Sequence, residues 1–184
     1  MRTGLPVSRA AGFTMVELIT VIVLMGILGA IGASRFFNQS TFESRAYADQ
    51  AKTILRYAQK LAITQNRYIF VRTDGNSFAV CTTAACGAGS LISAPGGSNS
   101  GSSVTRASCL LNNSYNANWL CEGRPSTVNV TGLGGSSVVF DALGRPYTVN
   151  NGTQALLAGV MTITFTNGSN SSQITVWPET GYVQ

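Results

Sequence analysis

Histidine is absent from all 184 residues. Its absence removes the Ser-His-Asp and Cys-His nucleophile systems together with the commonest metal ligand. Charge is scarce as well: only 10% of the chain is Asp, Glu, Lys or Arg, where about a quarter is usual. The 7 carboxylates are scattered, with none paired in an acid–base motif. These shortages argue against an enzyme, and neither catalysis nor a cofactor is expected. Low charge does not make the chain disordered, because 45% of it is hydrophobic and disorder requires low hydrophobicity with high net charge. The length suits one domain with a substantial core. The formal charge is +5, from 12 basic and 7 acidic residues, and Arg2 and Arg9 lie in the first dozen residues. The basic charge left after them is spread thinly, whereas phosphate recognition needs a patch or stripe. Nucleic acid is therefore not an expected partner.

What the chain does have is one long apolar run. Residues 13–34, FTMVELITVIVLMGILGAIGAS, contain a single ionisable side chain, Glu17. As a helix this segment spans about 33 Å, the thickness of a bilayer's hydrocarbon core. A secretory signal peptide would supply Arg2 and Arg9 as its basic region and Ala30-Ile31-Gly32 as a small-residue cleavage site. Neither a signal peptide nor a plain anchor accounts for Glu17, since a charge inside such a segment costs about 2–3 kcal/mol on insertion scales.

Gly12-Phe13-Thr14-Met15-Val16-Glu17-Leu18 resembles the processing site of type IV prepilins and of type II secretion pseudopilins. The resemblance implies that a prepilin peptidase cuts after Gly12 and methylates the new amino group of Phe13. Glu17 becomes the fifth mature residue. A carboxylate among apolar helices needs a cation, and the N-terminal amine of a neighbouring subunit can supply one. The leader, residues 1–12, stays cytoplasmic with its arginines. The expected location is the inner membrane, single-pass with a periplasmic head, and then a pilus or pseudopilus. The implied partners are the prepilin peptidase, other pilin or pseudopilin subunits and the inner-membrane assembly platform. Gly26, Gly29 and Gly32 either let helices approach closely or weaken the helix, at up to about 1 kcal/mol each relative to Ala. Ser34 stands where many major pilins carry a helix-disturbing proline, a departure that favours a minor component.

No helix breaker appears between Arg35 and Tyr68, and Tyr47, Ala51, Ile54, Ala58 and Leu61 are spaced 4, 3, 4, 3, one continuous helix face. The pattern predicts a helix from Phe13 to about Asn66, with residues 13–34 hydrophobic and 35–66 amphipathic, its stripe covered by a sheet. Residues 67–184 form the expected β-rich head. Tyr68–Thr73 and Ser77–Thr82 flank Asp74-Gly75-Asn76 as a hairpin. Residues 84–103 are Gly/Ser-rich and read as a surface loop. Further strands are expected at Val104–Leu111, Thr127–Thr131, Ser137–Asp141, Met161–Thr166 and Gln173–Trp177, the last two joined by a turn over 167–172. The fold class is α+β: a long N-terminal helix packed on an antiparallel β-rich head, as in type IV pilins.

Phe140-Asp141-Ala142-Leu143-Gly144-Arg145-Pro146 and Glu179-Thr180-Gly181-Tyr182-Val183 resemble signatures of the GspH/FimT family of minor pilins and pseudopilins. Arg35-Phe36-Phe37 resembles the corresponding segment of MshC-like minor pilins. Some FimT-like proteins bind DNA through a Gly-Arg-x-Arg pattern; here Gly144-Arg145-Pro146-Tyr147 keeps the first arginine and lacks the second. Two readings of Arg145 remain, a DNA contact or a solvated side chain on a turn made by Gly144 and Pro146. Cys81, Cys86, Cys109 and Cys121 form an even set in a chain expected outside the cytoplasm, which reads as two disulfides with three possible connectivities. Nearest-neighbour pairing is the preferred one. The C-x4-C and C-x11-C spacings match zinc knuckles poorly, and no metal is expected. The resulting expectation is a minor pilin or pseudopilin of a type IV pilus or type II secretion system; the alternative is a DNA- or surface-binding minor pilin used in DNA uptake or adhesion.

Overall fold

The computed structural model describes residues 13–36, 39–133 and 137–184, with only the backbone described for 31–36 and 39–41. The expected leader, residues 1–12, and the junction at 37–38 lie outside the described residues, so continuity of one helix across that junction does too. The chain divides into two units, one ending at Gln39 and one running from Ser40 to Gln184.

In the first unit, α1 spans Met15–Phe36. The Thr14 hydroxyl accepts the Glu17 N–H at 3.3 Å and so caps the start of the helix. Every side chain described from Phe13 to Ala30 is exposed. Among the described residues no helix is long and apolar enough to cross a membrane; the side chains of 31–34, which complete the expected span, lie outside them.

The second unit is built on α2, Gln39–Gln65. The sequence stripe is its buried face. Tyr47, Ala51, Ile54 and Ala58 are buried, Leu61 is half-buried, and Ala48, Leu55 and Ala62 widen the contact. Arg45, Asp49, Arg56 and Lys60 stay exposed on the other faces. After Asn66 takes a left-handed turn, φ 50°, the chain enters β1, Ile69–Thr73, and returns as β2, Ser77–Cys81. The Asp74 carboxylate caps the link by accepting the Asn76 and Ser77 N–H groups at 3.0 and 2.9 Å, and Gly75 supplies the positive φ of 82°.

Ser103–Ser108 forms a short helix, α3, where the sequence predicts the start of a strand at Val104. The Ser102 hydroxyl caps it by accepting the Thr105 N–H at 3.2 Å, and the Thr105 hydroxyl donates to Glu122 at 2.9 Å. Tertiary contacts thus override the β-branched propensity of Val104-Thr105. β3, Leu110–Leu111, and β4, Ser114–Tyr115, make a small separate hairpin. Then come β5 (Cys121–Gly123), β6 (Asn129–Thr131), β7 (Ser137–Phe140), β8 (Pro146–Asn150), β9 (Thr153–Leu156), β10 (Met161–Asn167) and β11 (Asn170–Val176). The loop expected over 167–172 is shorter than predicted: Asn167 pairs with Asn170, leaving Gly168-Ser169 as a two-residue turn. Gly168 has φ 59°, the first-position glycine that tight hairpins favour.

The strands form two main antiparallel sheets, ordered β5-β2-β1-β7-β8-β9 and β11-β10-β6. The α2 stripe packs on Ile69, Val71, Phe78, Val80, Val138 and Phe140 from the first sheet, and on Met161, Ile163, Phe165, Ile174 and Val176 from the second. Tyr47 meets Phe78 and Phe165 edge-on at 5.9 and 5.7 Å. Burying each such large side chain contributes about 1.5–3 kcal/mol, so this helix–sheet contact dominates the head's stability.

Candidate functional site

Two places hold the sequence-predicted residues. The first is the start of α1. Gly12 lies outside the described residues. Phe13 and Glu17 are exposed, with Phe13 at 78%. The N–H of Glu17 donates to Thr14, and its carbonyl accepts the Thr20 hydroxyl at 2.9 Å. The spacing Thr14-x-x-Glu17 is the S/T-x-x-E pattern of a helix start, a signal the sequence offers independently of any role in assembly. Beyond it, a dozen large apolar side chains from Phe13 to Leu28 face outward. Covering them would release about 20 kcal/mol at ordinary transfer values, far more than a solvated monomer leaves unused.

The second place is the turn between β7 and β8. Asp141 sits at its base and is only 4% exposed. Its Oδ1 accepts the N–H groups of Leu143 and Arg145 at 2.9 and 2.8 Å, and its Oδ2 accepts Arg145 Nε at 2.7 Å and the Tyr147 hydroxyl at 3.2 Å. Burial opposes ionisation of this carboxyl. The hydrogen bonds from Arg145 and Leu143 outweigh it and hold the Asp141 pKa below the usual carboxylate value. The same bond to Asp141 raises the Arg145 pKa, and burial raises that of Tyr147. Arg145 is therefore tied into the turn through Nε while its side chain stays 41% exposed. The Tyr147 ring stands edge-on to Tyr68 at 6.2 Å. Arg67, Tyr68, Asp141, Leu143 and Arg145 line an open cleft of about 430 Å³.

The two C-terminal motifs meet here. Gly144 and Gly181 both have positive φ, 79° and 64°, and a Cβ on Gly181 would stand 2.1 Å from the Gly144 carbonyl oxygen. Gln59 of α2 locks the contact: its amide donates to the carbonyls of Gly144 and Thr180 at 3.1 and 2.7 Å. Nearby, Arg56 Nε donates to the Val183 carbonyl at 2.9 Å. The sequence assigns neither Gln59 nor Arg56 a functional role. They sit beside the apolar stripe, and only the fold reveals what they reach.

The cysteines pair as Cys81–Cys86 and Cys109–Cys121. Their sulfurs join Ala79 and Trp119 in a second, smaller core, where the Trp119 indole N–H donates to the Val80 carbonyl at 2.9 Å. Among the described residues no group of three or more Cys, Asp or Glu side chains is placed to hold a metal ion.

No family model matches the chain. In sequence it is similar to a type IV pilin. It is 35% identical over 75 residues to the type IV narrow pilus major component PilA5 of Thermus thermophilus, a match covering 38% of this chain and 65% of that protein. The chain thus spans just under two thirds of that relative's length. Two crystal structures of the type IV minor pilin FimU of Pseudomonas aeruginosa overlap it loosely. One covers 76% of this chain and 90% of that one at 15% identity and TM-score 0.41; the other covers 80% and 90% at 15% identity and TM-score 0.42. The α+β architecture stands on the elements described above.

Proposed function

We propose that the chain is a structural subunit of a type IV pilus or of a related pseudopilus, without catalytic activity. The observation that carries this reading is the register of Gly12-Phe13 and Glu17 at the head of an apolar helix whose described side chains are all exposed. The sequence similarity to a pilus component supports it. A prepilin peptidase cleaves after Gly12 and methylates Phe13; the apolar segment 13–34 then serves first as inner-membrane anchor and afterwards as the surface that packs against other subunits. Head-to-tail packing that does not close on itself builds an open helical filament. Glu17 meets the amino group of a neighbouring Phe13 in that assembly.

The minor-subunit assignment rests on the GspH/FimT-like motifs, whose contact through Gln59 gives them a structural duty in the head. The bond from Arg145 Nε to Asp141 supports reading Arg145 as a side chain of the turn rather than as a DNA contact. Mass spectrometry of the mature N-terminus tests the proposal. A methylated Phe13 is expected; an intact Met1, or cleavage after Gly32, refutes it. Glu17→Ala is expected to be cleaved normally yet to be lost from sheared filaments, and normal incorporation would remove the charge-pairing role.

A further inference from the structure

Five asparagines of the head open an Asn-x-Ser/Thr triplet: Asn112, Asn129, Asn151, Asn167 and Asn170. This triplet is the acceptor pattern for N-linked sugar in secreted proteins, and the fold separates the five sharply. Asn112 and Asn151 occupy the same position in two separate hairpins. In the β3–β4 hairpin Leu111 pairs with Ser114, so Asn112-Asn113 is the entire two-residue loop. In the β8–β9 hairpin Asn150 pairs with Thr153, so Asn151-Gly152 is the loop. Both loop residues have positive φ in each case, 50° and 62° in the first and 49° and 81° in the second, the type I′ geometry.

Each tip thus sets its asparagine first, at the apex, and its hydroxyl residue, Ser114 or Thr153, at the start of the returning strand. All six residues of the two triplets are exposed. The other three triplets lack this presentation. Asn129 is exposed but lies within the strand β6 rather than at a hairpin tip. Asn167 is half-buried and its amide is turned toward the Glu43 carboxylate at 3.4 Å. Asn170 is half-buried in the groove lined by Arg45, Asp49 and Lys52.

We propose that Asn112 and Asn151 are N-glycan acceptor sites and that Asn129, Asn167 and Asn170 are not. The donor is an oligosaccharide carried on a polyprenyl diphosphate. The asparagine Nδ2 forms a bond to the anomeric carbon as the bond from that carbon to the diphosphate breaks. The diphosphate leaves with the electron pair, and the amide gives one proton to a base of the transferase. The proposal rests on the extracytoplasmic placement of the head argued above. Type I′ turns favour Asn and Gly whatever the compartment, so the hydroxyl two residues on is what the experiment must isolate.

The test is peptide mapping by mass spectrometry of the full-length protein purified from its own host, reading the N-terminus in the same digest. Sugar fragment ions are expected on the peptides spanning Asn112 and Asn151 and on none spanning Asn129, Asn167 or Asn170. Ser114→Ala and Thr153→Ala, which leave both turns intact, are expected to abolish the modification each at its own tip, while Ser114→Thr retains it. Unmodified tips on a chain that begins at methylated Phe13 overturn this proposal and leave the pilin reading standing. Unmodified tips on a chain with an intact Met1 overturn both. Sugar on the tips of a chain with an intact Met1 supports the acceptor sites while refuting the processing. Sugar that persists in both alanine variants also overturns the proposal.

Discussion

Replacing Asp141 with alanine removes the acceptor around which the β7–β8 turn is wound. Two backbone donors, the N–H groups of Leu143 and Arg145, lose a charged partner at 2.9 and 2.8 Å. Hydrogen bonds to charged groups contribute about 1.5–3 kcal/mol each. The ion pair with Arg145 adds little, because that side chain is 41% exposed and solvent screens it. Allowing for non-additivity, Asp141→Ala is expected to cost about 3–5 kcal/mol. Arg145→Ala should cost much less than Asp141→Ala, since its backbone N–H still reaches Asp141. The assay is urea unfolding of the full chain in mild detergent, followed by tryptophan fluorescence. Acid gives a second readout. The folded pKa of Asp141 lies below its unfolded value of about 4, so its contribution is complete above that value and vanishes as pH falls through the folded one. The gap between wild type and Asp141→Ala should therefore narrow in strong acid. A cost below about 1 kcal/mol for Asp141→Ala, an equal cost for Arg145→Ala, or a gap indifferent to acid would refute the reasoning.

Gly181→Ala and Gly152→Ala separate crowding from backbone conformation. Both positions have positive φ, but the new Cβ meets the Gly144 carbonyl oxygen at 2.1 Å in the first and nothing within 4 Å in the second. Gly152→Ala should cost about 1–2 kcal/mol, and Gly181→Ala about 3 kcal/mol or more as the Gln59 contact is pushed apart, read as shifts of the urea midpoint. Removing Cys109–Cys121, at a sequence separation of 12, should cost about 3 kcal/mol, and Cys81–Cys86, at 5, about 2 kcal/mol. Hydrogen exchange should show protection lost between residues 84 and 120 while the buried face of α2 keeps its own. Retained protection throughout would mean that the second core does not depend on its disulfides.

The helix stripe, the first hairpin and most strands were legible because each follows one periodicity. Tyr47, Ala51, Ile54 and Ala58 repeat at helical spacing, and Ile163 and Phe165 alternate with threonines along β10. Other features were hidden, among them β4 and β8, which no expected strand covers. Val104–Leu111 reads as strand by propensity, yet the Ser102 cap and the bond from Thr105 to the distant Glu122 fold its first part into a helix. β9 is exposed at every position, so it has no hydrophobic alternation to detect, and β5 has only three residues. At the β7–β8 turn the motif residues could be found, but their purpose could not: the partner of Gly144 is 37 residues away in sequence, and Gln59, which joins them, lies on a helix face that otherwise reads as polar surface.

The strand β2 is buried at all five positions, with Phe78 and Val80 in the larger core and Ala79 and Cys81 in the smaller one. It acts as a partition. Residues 82–120, which leave at its end and return at β5, are tied back to the flanking strands by Cys81–Cys86 and Cys109–Cys121 and pack mostly on its far side, while Ile92 and Leu120 reach the larger core. Between those tie points the excursion is a cassette: its length, tip sequence and surface chemistry can be exchanged while the frame formed by α2 and the two sheets keeps the rest of its contacts. Variation imposed on the head by a changing environment, or grafts introduced by design, should concentrate there.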